Sequence, residues 1–446
     1  MRYDLVIVGS GESGTGAAIL AHKIGMSVFV SDKGLIGEKY KADLIRQNIP
    51  FEEGMHSEDI ILDATLIVKS PGIPEKAHII QKIRSRNIPI ISEIEFAFRN
   101  RNTSKIIAIT GSNGKTTTTS LLFDIMKQDG RNVSVVGNIG NSYARQIAEN
   151  PTEWYVMEIS SFQLDDIDTF RPDIAVITNI TPDHLDRYDY DFQKYVQAKF
   201  SIAKAQTEQN VLVVCAENQA SIDYINNNTI TPKIIYFTMN EQVNNEGAYV
   251  SQDEMIINAN GEPFKISINE LSLKGKHNVY NSMAAGISAR VAEVRNESIR
   301  ESLKRFSAIE HRMEFVATIR GVEFINDSKA TNLNSVWYAL ECISKPTVLI
   351  MGGVDKGNNY KEIEQLVKDK VKAIVCLGID NSAIEQAFTD IVPLVNSTDI
   401  NEAVSKAYQI AESGDCVLLS PACASFDLFK NFEDRGQQFK NAVLAL

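Results

Sequence analysis

Residues 105–128 read KIIAITGSNGKTTTTSLLFDIMKQ, and the fold class follows from this stretch. Lys105–Thr110 is apolar and β-branched, the pattern of a buried strand. Gly111-Ser112-Asn113-Gly114 turns the chain. From Thr116 to Gln128, Leu121, Leu122, Ile125 and Met126 recur at helical spacing, and Gly130 stands where a C-terminal cap is expected. A glycine turn between strand and helix aims free backbone N–H groups at one point, and the helix dipole adds partial positive charge there. That point suits a phosphate. Lys115 is placed to reach the outer phosphates, and the hydroxyl of Thr116 or Thr117 to ligate Mg²⁺. The general nucleotide-loop pattern wants a glycine five residues before Gly114, where this chain has Ile109. The shorter T-G-S-N-G-K-T-T therefore carries the reading. A plain Gly-rich turn is the alternative, but Gly-Lys-Thr between strand and helix favours phosphate.

A chain of 446 residues holds two to four domains, with about three the natural division. Lys and Arg total 45 against 57 Asp and Glu, a net charge of −12. This argues against broad nucleic-acid binding and for a soluble protein. Cys215, Cys342, Cys376, Cys416 and Cys423 are scattered and form no C-x-x-C pair, which reads as reduced, buried thiols in a cytoplasm. The N-terminus carries Asp4 and soon meets Gly9, unlike a secretory signal. No apolar run reaches the length of a membrane span.

Residues 1–98 read as an α/β unit. Leu5–Val8 and Val28–Val30 are strands around a helix Gly14–Ile24. The turn Gly9-Ser10-Gly11-Glu12-Ser13-Gly14 fits G-x-G-x-x-G, with Asp32 about twenty residues on. Alone this is a dinucleotide fingerprint, and a mononucleotide diphosphate could use the same turn. Strand Leu66–Val68 runs into Ser70-Pro71-Gly72-Ile73-Pro74, a second ligand-lining turn, and Ile88–Ile91 is a further strand. The polar run Arg99–Thr103 marks a boundary.

Alternating strands and helices follow, so a mostly parallel sheet is expected. Trp154–Met157 ends at Glu158, and Ile174–Thr178 runs into Asn179-Ile180-Thr181-Pro182-Asp183-His184. Open α/β sheets bind ligands beyond the carboxyl ends of their strands, which places Glu158 and His184 at the edge of Lys115. Such a group makes a plausible Mg²⁺ site. A capping carboxylate and a loop histidine are the plainer readings. Phe192–Lys204 is an amphipathic helix in which Lys199 reads, on physics alone, as exposed or snorkelling. Residues 240–273 are polar and turn-rich, including Asn244-Asn245-Glu246-Gly247, as antiparallel hairpins are. Lys276–Glu293 is a helix carrying Asn281. A second boundary falls near Ser307–Glu310. Beyond it, strands near 323–325, 348–351, 373–377 and 417–419 alternate with helices. The segments 326–332, 352–357 and 420–426 stand at strand ends and suggest one cleft for an anionic substrate. Three ordinary βα loops are the alternative.

Together these residues resemble the Mur ligases of peptidoglycan synthesis. The resemblance covers the whole chain. It rests on TGSNGKTT (110–117), GNIG (137–140), EISSFQL (158–164), NITPDHLDRY (179–188), YVQAK (195–199), GKHNVYN (275–281), EHRME (310–314), NDSKATN (326–332), GGVDKG (352–357) and SPACASFDLFKNFEDRG (420–436). The DNPR signature of the diaminopimelate-adding members is absent, and NDSKATN and the ACAS segment look like the D-glutamate-adding branch.

The resemblance implies an α/β protein of three domains. Residues 1–98 form a Rossmann-like UDP-binding domain, 99–307 a P-loop ATPase-type domain with a small antiparallel portion, and 308–446 a Rossmann-like amino-acid-binding domain. It implies an ATP-dependent ligase joining D-glutamate to UDP-N-acetylmuramoyl-L-alanine through an acyl phosphate. It assigns Thr15, Asp32, Ser70, Gly72, Asn138, Ser160 and Gln163 to the UDP substrate. Lys33-Gly34-Leu35 stand where the family often has arginine just after the Asp32 position. Gly111, Ser112, Asn113, Gly114, Lys115, Thr116, Thr117, Asn281, Arg312 and Asp327 are assigned to ATP, and Lys329, Thr331, Lys356, Ser425 and Phe432 to D-glutamate. Two Mg²⁺ ions are implied, one held by Thr116 or Thr117 and Glu158, the other by His184 and a CO₂-derived carbamate on Lys199. Lys115, Glu158, His184 and Lys199 form the catalytic set. Domain closure is expected, as are small-molecule substrates, no nucleic acid, no membrane insertion, and a monomer in the bacterial cytoplasm. A folylpolyglutamate synthase is the nearest rival enzyme. A nicotinamide-dependent dehydrogenase leaves the Lys115 loop idle, and a nucleotide switch leaves the last three motifs unexplained.

Overall fold

The computed structural model describes residues 2–240, 246–306 and 310–446. The expected 307/308 boundary, the Asn244-Asn245 turn and the Cys342 side chain lie outside the described residues. The chain divides into two compact units. One comprises residues 1–272 with 278–306, the other 273–277 with 307–446.

The first unit holds two sheets. Strands β1 (Leu5–Val8), β2 (Val28–Asp32), β3 (Phe51–Glu53), β4 (Leu66–Lys69) and β5 (Ile90–Ser92) lie in the order β3-β2-β1-β4-β5. All their pairings are parallel. The larger sheet has nine strands: β6 (Lys105–Thr110), β7 (Val133–Gly137), β8 (Trp154–Glu158), β9 (Ile174–Ile177), β10 (Val211–Cys215), β11 (Lys233–Phe237), β12 (Gly247–Ser251), β13 (Glu254–Asn258) and β14 (Phe264–Ser267). Their order is β14-β13-β12-β11-β10-β9-β6-β8-β7. The sheet is parallel from β7 to β12, and β13 and β14 add the antiparallel hairpins that the turn-rich composition predicts.

The pattern of β6 explains its central place. Ile106 and Ala108 enter one core layer, Ile107 and Ile109 the opposite one. Both faces are covered, so the strand reads as one apolar run instead of an alternation. Burying each isoleucine side chain contributes roughly 1.5–3 kcal/mol. The first of these layers also takes Leu5, Ile7, Val28 and Val30 together with Tyr143 and Tyr155. One continuous core therefore joins the five-stranded sheet to one face of the nine-stranded sheet.

The second unit contains β15 (Glu314–Ile319), β16 (Val322–Asn326), β17 (Thr347–Met351), β18 (Val371–Leu377), β19 (Leu394–Ser397) and β20 (Cys416–Leu419) in the order β15-β16-β20-β17-β18-β19. Only β15 pairs antiparallel. Leu349 and Met351 face one layer of helices, Val348 and Ile350 the other.

Some element ends differ from expectation. The first helix begins at Glu12, because extended Gly11 is its N-cap. The helix from Phe192 ends at Phe200 and tightens into a 3₁₀ turn over Ser201–Ala203. Cys215, Cys376, Cys416 and Cys423 are buried free thiols, as expected. Among the described residues, no helix is long and apolar enough to cross a membrane.

Candidate functional site

The phosphate loop leaves the carboxyl end of β6, flanked by β8 and β9. Gly114 is the N-cap of the helix Lys115–Gln128, with φ 84 and no side chain closing the helix end. A Cβ there would stand 2.2 Å from Asn281 Oδ1, so both the left-handed backbone and the close approach of Asn281 require glycine. The segment after β9 sets the loop's shape. Thr178 Oγ1 donates to the Asn113 carbonyl at 2.6 Å, Asn113 N donates to Asn179 Oδ1 at 3.0 Å, and Ser112 Oγ donates to the Thr181 carbonyl at 2.8 Å. Lys115 is half-buried, and its Nζ donates to the carbonyls of Gly111 and Ser112, both at 2.8 Å. The ammonium thus sits over the same concavity as the helix N-terminus, an arrangement that fits phosphate oxygens. Asn281 joins this cluster, its Oδ1 accepting from Thr118 Oγ1 at 3.3 Å.

Lys199 corrects the reading from physics alone. It is not an exposed or snorkelling lysine but 2 % exposed. Its Nζ donates to the Gly111 carbonyl at 2.7 Å, the same oxygen that Lys115 uses, and lies 4.5 Å from the centroid of the Tyr195 ring. The helical pattern placed it beside a polar face; the loop packed over that face encloses it. Burial, and then the nearby charge of Lys115, hold its amine well below the ordinary lysine range. A neutral amine carries the lone pair that attacks CO₂.

Glu158 closes β8 and is 1 % exposed. Its Oε1 accepts from Asn138 Nδ2 at 2.7 Å. Its Oε2 and the hydroxyl of Thr117 are buried without a hydrogen-bond partner. Idle buried oxygens are costly unless a ligand meets them, and oxygen donors of this kind suit Mg²⁺. Among the described residues no three His, Cys, Asp or Glu side chains form a ready cation site. A divalent ion here would draw its remaining ligands from phosphates or from a modified lysine. His184 has φ 52 and is half-buried, with its ring edge-on to Phe162 at 5.2 Å. Ser160 and Gln163 meet each other: their side chains form a capping box on the short helix Ser161–Leu164.

In the five-stranded sheet the turns after β1, β2 and β4 share one edge. Asp32 is committed to the first turn, its Oδ2 accepting from Ser10 N and Ser10 Oγ, both at 2.7 Å. Thr15 Oγ1 donates to the Ser10 carbonyl at 2.9 Å, and Ser70 Oγ to the Gly9 carbonyl at 3.0 Å. A Cβ on Gly14 would stand 1.8 Å from the Gly9 carbonyl oxygen, which explains the last glycine of the motif. Gly72 is exposed with open space around it.

In the second unit the loops after β16, β17 and β20 come together. Val354 N donates to the Ala424 carbonyl at 2.8 Å, and Ala422 N to the Ala330 carbonyl at 2.9 Å. Lys329 Nζ lies 5.2 Å from the centre of the Phe432 ring. Thr331 and Lys356 are half-buried and Ser425 is buried. Asp327 Oδ2 accepts from Ser420 Oγ at 2.9 Å, and burial pushes its carboxyl up to about 6 against the opposing charge of Arg312. Arg312 and Asp327 are thus neighbours in this unit, whereas Asn281 belongs to the other.

One residue that the sequence left without a role organises all three loops. Arg435, 1 % exposed, donates to Ser328 Oγ at 3.0 Å, to the Ser328 carbonyl at 2.9 Å and to the Cys423 carbonyl at 3.3 Å, and reaches the Gly352 carbonyl at 3.5 Å. Its place in the quoted SPACASFDLFKNFEDRG segment was the available signal. Arg435→Leu strands at least two buried carbonyls, each costing about 1–3 kcal/mol. The expected result is a lowered calorimetric Tm for the second unit; an unchanged Tm counts against this role.

Comparison with known proteins covers the whole chain. The Mur ligase MurD-like N-terminal domain family matches residues 3–92, the Mur ligase middle domain 109–289, and the Mur ligase glutamate ligase domain 311–423. Proteins named UDP-N-acetylmuramoylalanine--D-glutamate ligase are similar at 49 % identity in Christiangramia forsetii and at 46 % in Porphyromonas gingivalis, over 99 % and 100 % of this chain and 99 % of each relative. Among solved structures, a pseudomurein peptide ligase type C from Methanothermus fervidus superposes with a TM-score of 0.63 at 19 % identity, covering 99 % of both chains. The UDP-N-acetylmuramate-alanine ligase MurC from Thermotoga maritima gives 0.63 at 18 %, also over 99 % of both. These structures share the fold.

Proposed function

The chain belongs to the Mur ligase family, and from that premise we propose that it joins D-glutamate to UDP-N-acetylmuramoyl-L-alanine with ATP, releasing ADP and phosphate. The observation that carries the reading is the meeting of Lys115 and buried Lys199 on the Gly111 carbonyl of the phosphate loop. The domain division follows the same reading: residues 1–98 for the UDP substrate, 99–307 for ATP and 308–446 for D-glutamate. On the same reading the enzyme works as a monomer in the bacterial cytoplasm.

A carboxylate does not condense with an amine unaided, because its oxygen is a poor leaving group. In the proposed reaction the L-alanyl carboxylate attacks the γ-phosphorus and ADP leaves. The D-glutamate amine then attacks the acyl phosphate carbonyl, and phosphate departs. The protein positions the reactants and neutralises charge. Gly111–Gly114 and the helix N-terminus hold the phosphates, and Lys115 turns from its loop carbonyls to the γ-phosphate. Mg²⁺, when bound, offsets phosphate charge. Thr116 or Thr117 with Glu158 would hold one ion, and His184 with Lys199, once carbamylated, would hold the other. Asn281, Arg312 and Asp327 serve the nucleotide. Thr15, Asp32, Ser70, Gly72, Asn138, Ser160 and Gln163 serve the UDP substrate; Asp32, Thr15 and Ser70 also fix the turns that receive it. The direct test is ATP-dependent phosphate release with UDP-muramoyl precursors crossed against D- and L-amino acids. Turnover with UDP-N-acetylmuramoyl-L-alanine and D-glutamate is expected. Turnover only with another acceptor or amino acid would overturn the reading.

Selectivity for D-glutamate resides in Lys329, Thr331, Lys356, Ser425 and Phe432. A charge-assisted hydrogen bond from Lys356 to a desolvated carboxylate contributes roughly 1.5–3 kcal/mol. Lys356→Ala is therefore expected to raise the KM for D-glutamate by about tenfold to a hundredfold and to leave the KM for ATP in place. A loss confined to ATP would remove Lys356 from this role.

A further inference from the structure

Arg187 lies in the 179–188 segment, three residues beyond His184, and has no part in the assignments above. Its Nη2 donates to the Pro71 carbonyl at 2.7 Å and to the Ile73 carbonyl at 3.1 Å. Its guanidinium carbon lies 4.5 Å from the centroid of the Phe162 ring. The same ring meets the edge of His184 at 5.2 Å and stacks with Tyr188 at 6.2 Å. The turn that Arg187 grips is itself joined to the first glycine turn, through Ser70 Oγ to the Gly9 carbonyl. An unbroken line of contacts therefore runs from the Gly9 turn through Ser70–Ile73, Arg187 and Phe162 to His184. A second seam runs beside it, where buried Lys69 pairs with Asp166 at 2.8 Å. That seam holds the strand end in place and leaves the Pro71–Ile73 carbonyls to Arg187.

We propose that Arg187 is a positioning residue that sets the Ser70–Pro74 turn and the His184 side of the reaction centre in one register, so that a UDP-linked acceptor seated on the turn presents its carboxylate where His184 acts. The proposal rests on the reading of the site given above. Two features of arginine matter. Its Nη2 carries two hydrogens and meets two carbonyls, and its flat guanidinium face lies on an aromatic ring while it does so. A lysine ammonium has no such planar face.

The test uses the full-length enzyme and three variants, with each substrate varied in turn. Wild-type turnover is measured first, and its absence defeats the reading of the site itself. Arg187→Met removes both hydrogen bonds. It is expected to raise the KM for the UDP substrate at least about tenfold and to lower kcat by a similar factor, with the KM values for ATP and D-glutamate within about threefold of wild type. Arg187→Lys is expected to fall between the two. Phe162→Leu keeps an apolar side chain but removes the ring that connects Arg187 to His184. It is expected to lower kcat and leave UDP-substrate binding, read by calorimetry without ATP or Mg²⁺, unchanged. Wild-type kinetic constants in Arg187→Met, or an equal rise in all three KM values, would overturn the proposal. A lowered Tm with unchanged constants would do the same, since it would show a merely structural residue.

Discussion

Lys199→Ala is expected to lower kcat on the order of a thousandfold, with partial recovery on adding small carboxylic acids. The amine is buried, shares the Gly111 carbonyl with Lys115 and is held towards its neutral form. Carbamylation would turn that amine into an anionic oxygen donor beside the phosphate loop. Alanine removes the donor and leaves a space that a small carboxylate can enter. A readout independent of turnover accompanies the kinetics: ¹³C-bicarbonate should give a carbamate resonance in the wild type and none in Lys199→Ala. Wild-type activity in Lys199→Ala, in CO₂-depleted and ordinary buffer alike, would refute the assignment.

Lys115→Ala is expected to lower ligation by at least about a thousandfold while the UDP substrate still binds. Lys115 is the half-buried cation at the mouth of the phosphate loop, and it donates to two loop carbonyls that a γ-phosphate oxygen can outcompete electrostatically. The turns expected to hold the UDP portion are built by Asp32, Thr15 and Ser70, none of which relies on Lys115 in its hydrogen bonds. Calorimetry should therefore return a near-normal Kd for the UDP substrate. An equal loss of both functions would contradict this separation.

The parallel strands were the legible part of the fold. Runs such as Lys105–Thr110 and Val348–Met351 are buried on both faces, so the sequence is apolar throughout and hard to mistake. Strands with weaker burial gave weaker signals: Glu314–Ile319 is half-buried at a sheet edge, and Val133–Gly137 ends the nine-stranded sheet. At the site, glycines and Gly-Lys-Thr marked the phosphate loop because backbone geometry allows few substitutes there. Lys199 was illegible by periodicity, since enclosure by a loop distant in sequence leaves no local trace. Only the resemblance of YVQAK pointed to it. Arg435 and Arg187 were hidden for a related reason, as most of their partners are backbone carbonyls, several of them more than 80 positions away, and a carbonyl has no residue identity to read.

In the proposed reaction a carboxylate is activated by phosphorylation before the amine attacks. Isotope transfer tests it most directly. UDP-N-acetylmuramoyl-L-alanine labelled with ¹⁸O in its carboxylate is turned over with ATP and D-glutamate, and the released phosphate is examined by mass spectrometry. One labelled oxygen is expected in each phosphate, because the carboxylate oxygen that attacks the γ-phosphorus leaves with it when the amide forms. Unlabelled phosphate released in step with ligated product would contradict it.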